Sequence, residues 1–276
     1  MKRSLRCAVA GVALFFGHAG AAHGADLDYL RGSEVFAPSS PVYANWSGFY
    51  FGVQGGYGNA NMDFTGSTAA LIERMLRNTT LESVAQLSTW NVLGSTDTRS
   101  GSFGGFAGYN SQWENVILGI EANYNHASVR GSTTDSMTRL VTPGDGRIYD
   151  VTVQSTASMH ITDYGILRGR AGYVMGRFMP YATLGFALGR IETERRADVF
   201  GTYAPLATPT LTTPFALSAS DPKTVYSVGY AAGAGVDVAI VPNMFLRGEF
   251  EWVQFTNVND MKVNLVTGRV AAALRF

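Results

Sequence analysis

The sequence predicts an all-β chain: an eight-stranded antiparallel up-and-down transmembrane β-barrel with three long extracellular loops and short periplasmic turns. Three observations carry this expectation. About eight segments alternate apolar with small or polar residues, each long enough to cross a bilayer as a tilted strand. Their connections alternate between very short and very long, so one end is trimmed and the other elaborated. Charges within the strands keep to one face and gather at similar depth.

The first 24 residues read as a secretory signal peptide. Lys2, Arg3 and Arg6 precede the apolar run "AVAGVALFFGHAGAA", and "AAHGAD" offers small residues for cleavage after Gly24, or after Ala22 as the alternative. An apolar run of about 15 residues is short for a membrane helix, and no later run of 18 exists. The only cysteine, Cys7, leaves with the signal, so disulfides hold nothing together. Removal leaves 18 basic against 21 acidic side chains, a net charge of −3 without a nucleic-acid footprint. Residues 25–46 form an extended, proline-bearing periplasmic lead-in, and 47–276 the barrel.

The expected strands are 47–59, 101–112, 115–126, 159–174, 178–192, 225–240, 244–256 and 262–276. In the first, within "NWSGFYFGVQGGYG", Phe49, Phe51, Val53 and Tyr57 share one face, while Tyr50, Gly52, Gln54, Gly56 and Gly58 share the other. The third sets Glu121, Asn123 and Asn125 against Leu118, Ile120 and Tyr124; the fourth sets Arg168 and Arg170 against Leu167, Gly169 and Tyr173. The sixth places Asp237 opposite Tyr230, Val236, Val238 and Ile240. The seventh places Arg247, Glu249 and Glu251 opposite Leu246, Phe250 and Trp252, and the last Arg269 and Arg275 opposite Val270, Leu274 and Phe276.

Short turns fall at "WEN" (113–115), "GRF" (176–178) and "VPN" (241–243); the other connections run to about 40, 33 and 32 residues, the last one being brief. The long ones are rich in Ser and Thr. Within the first, "TAALIERMLRNTTLESVAQL" reads as a partly ordered surface loop, with a short amphipathic helix as the alternative.

Which face meets lipid follows from the charges. Glu121, Arg168, Arg170, Glu249, Glu251 and Arg269 lie about six to eight residues above the short turns, at one depth for a rise of roughly 3.3 Å per residue. An eight-strand ring encloses only side chains. Charges pointing inward must therefore neutralise one another. The expected lumen network is Glu121, Arg168, Arg170, Asp237, Arg247, Glu249, Glu251 and Arg269, with glycines making room for it. Trp46, Phe49, Tyr109, Trp113, Tyr124, Tyr173, Trp252 and Phe276, near strand ends, are expected in the aromatic girdles at the lipid–water boundaries.

The stretches "NWSGFYFGVQGGYG", "GGFAGYN", "LGIEANY", "LRGRAGY", "PYATLGFALG" and the terminal "ALRF" resemble the alphaproteobacterial porin-like outer-membrane β-barrel family. That family is related to the OmpA transmembrane domain and includes small surface antigens and hemin-binding outer-membrane proteins. The resemblance implies an outer-membrane location, with lipid and lipopolysaccharide as surroundings. It also implies insertion by the outer-membrane assembly machinery, which reads the last strand and its terminal aromatic, here Phe276. Ala271 departs from the usual glycine of that signal. The ending at Phe276 reads as no following peptidoglycan-binding domain.

No catalytic group, cofactor or metal is expected. Glu249 and Glu251 suit ion pairing better than acid–base work. His126 and His160, flanking the second long connection, are weak candidates for haem iron or a metal. Ser128, His160 and Asp163 are the nearest approach to an outer-surface hydrolase triad. The leading reading is a structural surface barrel plugged by ion pairs. A low-conductance porin and a loop-mediated haem or host-ligand binder are the alternatives; sequence leaves any loop ligand open.

Overall fold

The computed structural model describes residues 45–90, 92–258 and 260–276; the expected signal peptide and the lead-in up to residue 44 lie outside the described residues. Eight strands follow one another: β1 (Gly48–Asp63), β2 (Ser95–Trp113), β3 (Val116–Val141), β4 (Arg147–Tyr173), β5 (Phe178–Pro205), β6 (Thr213–Val241), β7 (Met244–Val258) and β8 (Met261–Arg275). Each pairs antiparallel with the next, and β1 pairs with β8 from Tyr50↔Arg275 to Asp63↔Lys262, closing the ring. Closure matters in hydrocarbon, where an open sheet edge would strand unpaired N–H and C=O groups.

The alternation resolves into an inside and an outside. On β1, Phe49, Phe51, Val53 and Tyr57 are 53–69% exposed, whereas Tyr50 and Gln54 are buried in the lumen. Leu184, Phe186, Leu188, Tyr230, Phe250 and Val270 continue the exposed apolar band around the ring. A water-soluble barrel would bury these side chains and show the charges, so the exposed band is a lipid-facing surface.

Among the expected girdle residues, Trp46 departs from the pattern. It is 0% exposed and packs edge-to-face on Phe245 at 5.6 Å, inside the trimmed end. Trp46 precedes β1, where strand alternation no longer dictates a face. Its backbone N–H donates to Gln112 Oε1 at 2.7 Å, which turns the chain under the barrel mouth.

The second and third long connections are largely strand. β3 and β4 pair from Val116↔Tyr173 up to Val141↔Tyr149, leaving a turn over 142–146; β5 and β6 pair from Phe178↔Val238 to Tyr203↔Thr213, leaving 206–212. The β2–β3 pairing stops at Ser102↔Ala127, and β6–β7 pairing begins at Gly229↔Phe255. The upper halves of β3 to β6 therefore rise past the closed ring as a four-stranded sheet.

The first connection is also more ordered than a partly ordered loop. It holds α1 (Ala69–Met75), α2 (Thr80–Ala85) and a 3₁₀ turn over Leu87–Thr89. Thr79 caps α2, its Oγ1 accepting from the Glu82 N–H at 3.2 Å. Helices this short are marginal alone, and packing supplies the remainder. Leu71, Ile72, Leu76, Leu81, Leu87 and Trp90 bury against Tyr149, Val151, Val153, Ala197 and Val199 on the raised sheet.

Candidate functional site

The lumen holds the chemistry. Glu121 on β3, Arg168 and Arg170 on β4, Asp237 on β6, Arg247, Glu249 and Glu251 on β7 and Arg269 on β8 all point inward, none more than 6% exposed. Their register sets them side by side: Glu121↔Arg168, Asp237↔Arg247 and Glu249↔Arg269 are facing pairs. Four guanidiniums meet four carboxylates, so the layer is electrically neutral.

Arg168 is the hub. Its Nε and Nη2 donate to Glu121 Oε1 at 3.0 and 2.5 Å, Nη1 to Glu249 Oε1 and Glu251 Oε2 at 2.8 Å each, and Nη2 to Glu249 Oε2 at 2.7 Å. Arg247 joins Glu121 Oε2 and Asp237 Oδ1, both at 2.8 Å. Arg170 reaches Asp237 Oδ2 at 2.7 Å. Arg269 pairs with Glu249 Oε1 at 2.5 Å and with Glu251. Such crossed, charge-assisted bonds are how opposite ions survive burial.

Two tyrosines enter this layer that the alternation pattern alone does not single out. Tyr50 Oη donates to Glu121 Oε2 at 2.8 Å, and Tyr181 Oη to Glu249 Oε2 at 2.6 Å. Each ring lies over a glycine. A Cβ on Gly108 would sit 2.5 Å from Tyr50 Cζ, and one on Gly235 would sit 2.7 Å from Tyr181 Oη. The glycines thus make room for aromatic arms as well as for arginines. The usable signal in sequence is a tyrosine on the glycine-bearing face. Above the ions an amide chain continues, from Gln54 Nε2 to Asn125 Oδ1 at 2.6 Å and Asn125 Nδ2 to Asn123 Oδ1 at 3.0 Å.

Buried apolar clusters lie on both sides of the ion layer. Toward the short turns, Trp46, Phe106, Ile117, Met179 and Phe245 fill the floor. Toward the long end, Met62, Phe64, Met159, Ile161, Phe255 and Leu265 belong to a second cluster, and the helices of the first connection fill the raised sheet above it. A further ion pair binds that connection in place. Arg195 donates through Nη2 to Asp221 Oδ2 at 2.5 Å and through Nη1 to the Ser67 carbonyl at 3.1 Å. This Arg195 hydrogen bond holds the Asp221 carboxyl below the ordinary aspartate range.

The histidines lie elsewhere, on the outward face near the top of the lipid band. His126 Nδ1 meets Asp163 Oδ1 at 2.8 Å, and Tyr124 Oη donates to the same oxygen at 2.6 Å. His160 Nδ1 faces Glu192 Oε2 at 3.6 Å. Register shifts between His126 and Val129, and between Ile161 and Asp163, set the two rings against separate carboxylates. Asp163 is thus joined to His126, whereas the sequence grouped it with His160 and Ser128. The Ser128 carbonyl accepts from Ser100 Oγ at 3.0 Å. Among the described residues no three His, Cys, Asp or Glu side chains are grouped as a metal would need. Phe276 ends the ring, exposed and stacked on Phe51 at 5.4 Å.

Comparison with known proteins adds an independent line. The chain is similar to the 25 kDa outer-membrane immunogenic protein of Brucella ovis, 25% identical over 57% of this chain and 56% of that one. It therefore spans little more than half the length of that relative. The 22 kDa outer membrane protein of Rhizobium leguminosarum bv. viciae is 26% identical over 79% of this chain and 68% of its own. Among solved structures, Neisserial surface protein A aligns at 15% identity, covering 83% of this chain and 98% of that one with a TM-score of 0.36. The family described as outer membrane protein beta-barrel domain matches residues 35–276. Its match spans every strand of the closed ring, and the chain accordingly belongs to the outer membrane protein beta-barrel domain family.

Proposed function

We propose that this outer-membrane barrel is a structural surface protein: a sealed anchor that displays its raised hairpins outside the cell and bears on the envelope mechanically. The observation that supports this reading is the filled lumen. A neutral ion layer lies between two apolar clusters, with helices α1 and α2 above them. A solute crossing would have to separate buried ion pairs, at a cost of about 3–5 kcal/mol for each pair broken. The low-conductance porin reading therefore has little to recommend it. The haem reading gains no support from the geometry, because His126 and His160 stand against separate carboxylates and, among the described residues, no third ligating side chain joins either of them.

The name of the Brucella relative, an outer-membrane immunogenic protein, fits a role in which the external hairpins are what other molecules meet. Lipopolysaccharide would surround the outward band near Tyr124 and Tyr230, and assembly machinery would insert the chain through β8 and Phe276. The test is an epitope tag placed in the 142–146 turn and probed on intact cells. Labelling without permeabilisation, together with detergent sensitivity of a deletion strain, is the expected result. A tag reached only after the outer membrane is opened would overturn the reading.

A further inference from the structure

The trimmed end carries a cation that the lumen does not neutralise. Arg275 is 9% exposed, yet among the described residues its Nη1 is buried without a hydrogen-bond partner, while Nη2 donates to the Pro242 carbonyl at 2.5 Å. Every arginine of the central layer has carboxylates; Arg275 has the Trp46 ring, 5.1 Å below it, and a backbone oxygen. A buried guanidinium without a counter-ion is costly, and an anion from outside relieves that cost.

Room for such an anion exists. Arg275 lines a groove of about 520 Å³ at the periplasmic rim, between the β4–β5 turn, the β6–β7 turn and the residues before β1. Arg177 stands on the same groove as a second, exposed guanidinium, and Asn45, Ser47 and Asn243 supply neutral polar groups. Among the described residues the lining includes no acidic side chain. Its outer edge is apolar, formed by the exposed Ile240, Val241 and Phe276. Phe276 stacks on Phe51, which lines a separate apolar groove of about 240 Å³ between Val53 and Leu274 on the lipid-facing wall. Two guanidiniums beside a greasy channel match a ligand with an anionic head and hydrocarbon tails. The depth is right as well, because the short turns mark the level where inner-leaflet headgroups lie.

We propose that this rim groove binds the phosphate of an anionic glycerophospholipid from the inner leaflet, with Arg275 and Arg177 holding the phosphate and one acyl chain lying along Phe276 and Phe51. Bidentate pairing suits guanidinium and phosphate. The site would fix the barrel's depth and rotation in the leaflet without using the lumen or the external hairpins.

Native mass spectrometry of the folded, delipidated protein from a neutral detergent tests this. The probes are dioleoylphosphatidylglycerol, dioleoylglycerol with the same tails, glycerol 3-phosphate and inorganic phosphate. A single phosphatidylglycerol should be retained, dioleoylglycerol should not, and neither soluble phosphate should displace the lipid. Arg177→Gln should weaken retention about tenfold, and Arg275→Gln should abolish it. Should Arg275→Gln fail to fold, Arg177→Gln decides alone, since its side chain is exposed in a turn. Retention unchanged in Arg177→Gln, or equal uptake of dioleoylglycerol, overturns the proposal. Displacement by the soluble phosphates would make this a site for free anions and overturn the lipid assignment.

Discussion

Replacing Arg168 with methionine removes the hub of the ion layer while keeping an unbranched side chain of comparable length. Five hydrogen bonds to Glu121, Glu249 and Glu251 disappear. Glu121 retains Arg247 and Tyr50, and Glu249 retains Arg269 and Tyr181. Among the described residues Glu251 keeps Arg269 alone as an ion-pair partner. Four carboxylates then face three guanidiniums in a space sealed from water. Stranding one buried charge costs about 3–5 kcal/mol. For a urea dependence of about 2–3 kcal/mol per molar, the unfolding midpoint falls by roughly 1–2 M. The assay is equilibrium urea unfolding in phosphatidylcholine vesicles, followed by tryptophan fluorescence and by the heat-sensitive gel mobility of a folded barrel. Pairing the change with Glu251→Gln restores neutrality and should return much of the loss, a coupling of about 1–3 kcal/mol. A wild-type midpoint for Arg168→Met would refute the reasoning. So would a double variant whose loss is the sum of the two single losses.

Gly108→Ala places a methyl 2.5 Å from Tyr50 Cζ and 2.7 Å from the Ile120 carbonyl. The expected cost is about 1–3 kcal/mol, read as a lower temperature for the heat-dependent mobility shift; an unchanged temperature contradicts the packing described. Tyr50→Phe removes two hydroxyl bonds, one donated to Glu121 and one accepted from Arg170 Nη1 at 3.2 Å; Glu121 keeps Arg247 and Arg168 and Arg170 keeps Asp237, so the loss should be about 1–3 kcal/mol. The Arg195–Asp221 pair should hold the first connection against limited proteolysis within residues 69–90. Because Arg195 lowers the Asp221 pKa, this protection is complete at pH values above the unfolded aspartate value of about 3.9. It is lost only as pH falls through the lower folded value. Asp221→Asn should be nicked faster wherever Asp221 is ionised, the two proteins converging in acid once the wild-type carboxyl is protonated, and equal nicking of the two at neutral pH would remove the pair from the explanation.

Strand existence and facing were legible because lipid and lumen impose opposite demands on successive residues. In β7 the run Arg247, Gly248, Glu249, Phe250, Glu251 and Trp252 separates charge from apolar surface along most of its length, and the register then carries Arg247 to Asp237 and Glu249 to Arg269. The raised hairpins were hidden for the same physical reason. Above the bilayer both faces of a strand can be polar, as in Ser132, Thr133, Thr134 and Asp135 of β3. A period of two then has no contrast to show. Val151 and Val153 do alternate with threonine and glutamine, but their partners are helix side chains far off in sequence, Leu71 and Ile72 among them. The histidine pairings depend on two register shifts in β4's ladders, and a shifted residue leaves no mark in composition. Trp46 escapes the expectation because nearness to a strand end does not fix a face: the residue precedes β1 and turns inward onto Phe245.

The proposed function requires a lumen filled from floor to cap that passes no solute. Single-channel recording of the refolded protein in planar bilayers addresses it directly, with gel mobility used to verify that the recorded material is folded. The expected trace shows no reproducible conductance steps over the voltages at which open barrels conduct. Stable, ohmic steps that scale with salt and persist in homogeneous folded protein would mean an open water path along the ion layer, and would contradict the filled lumen.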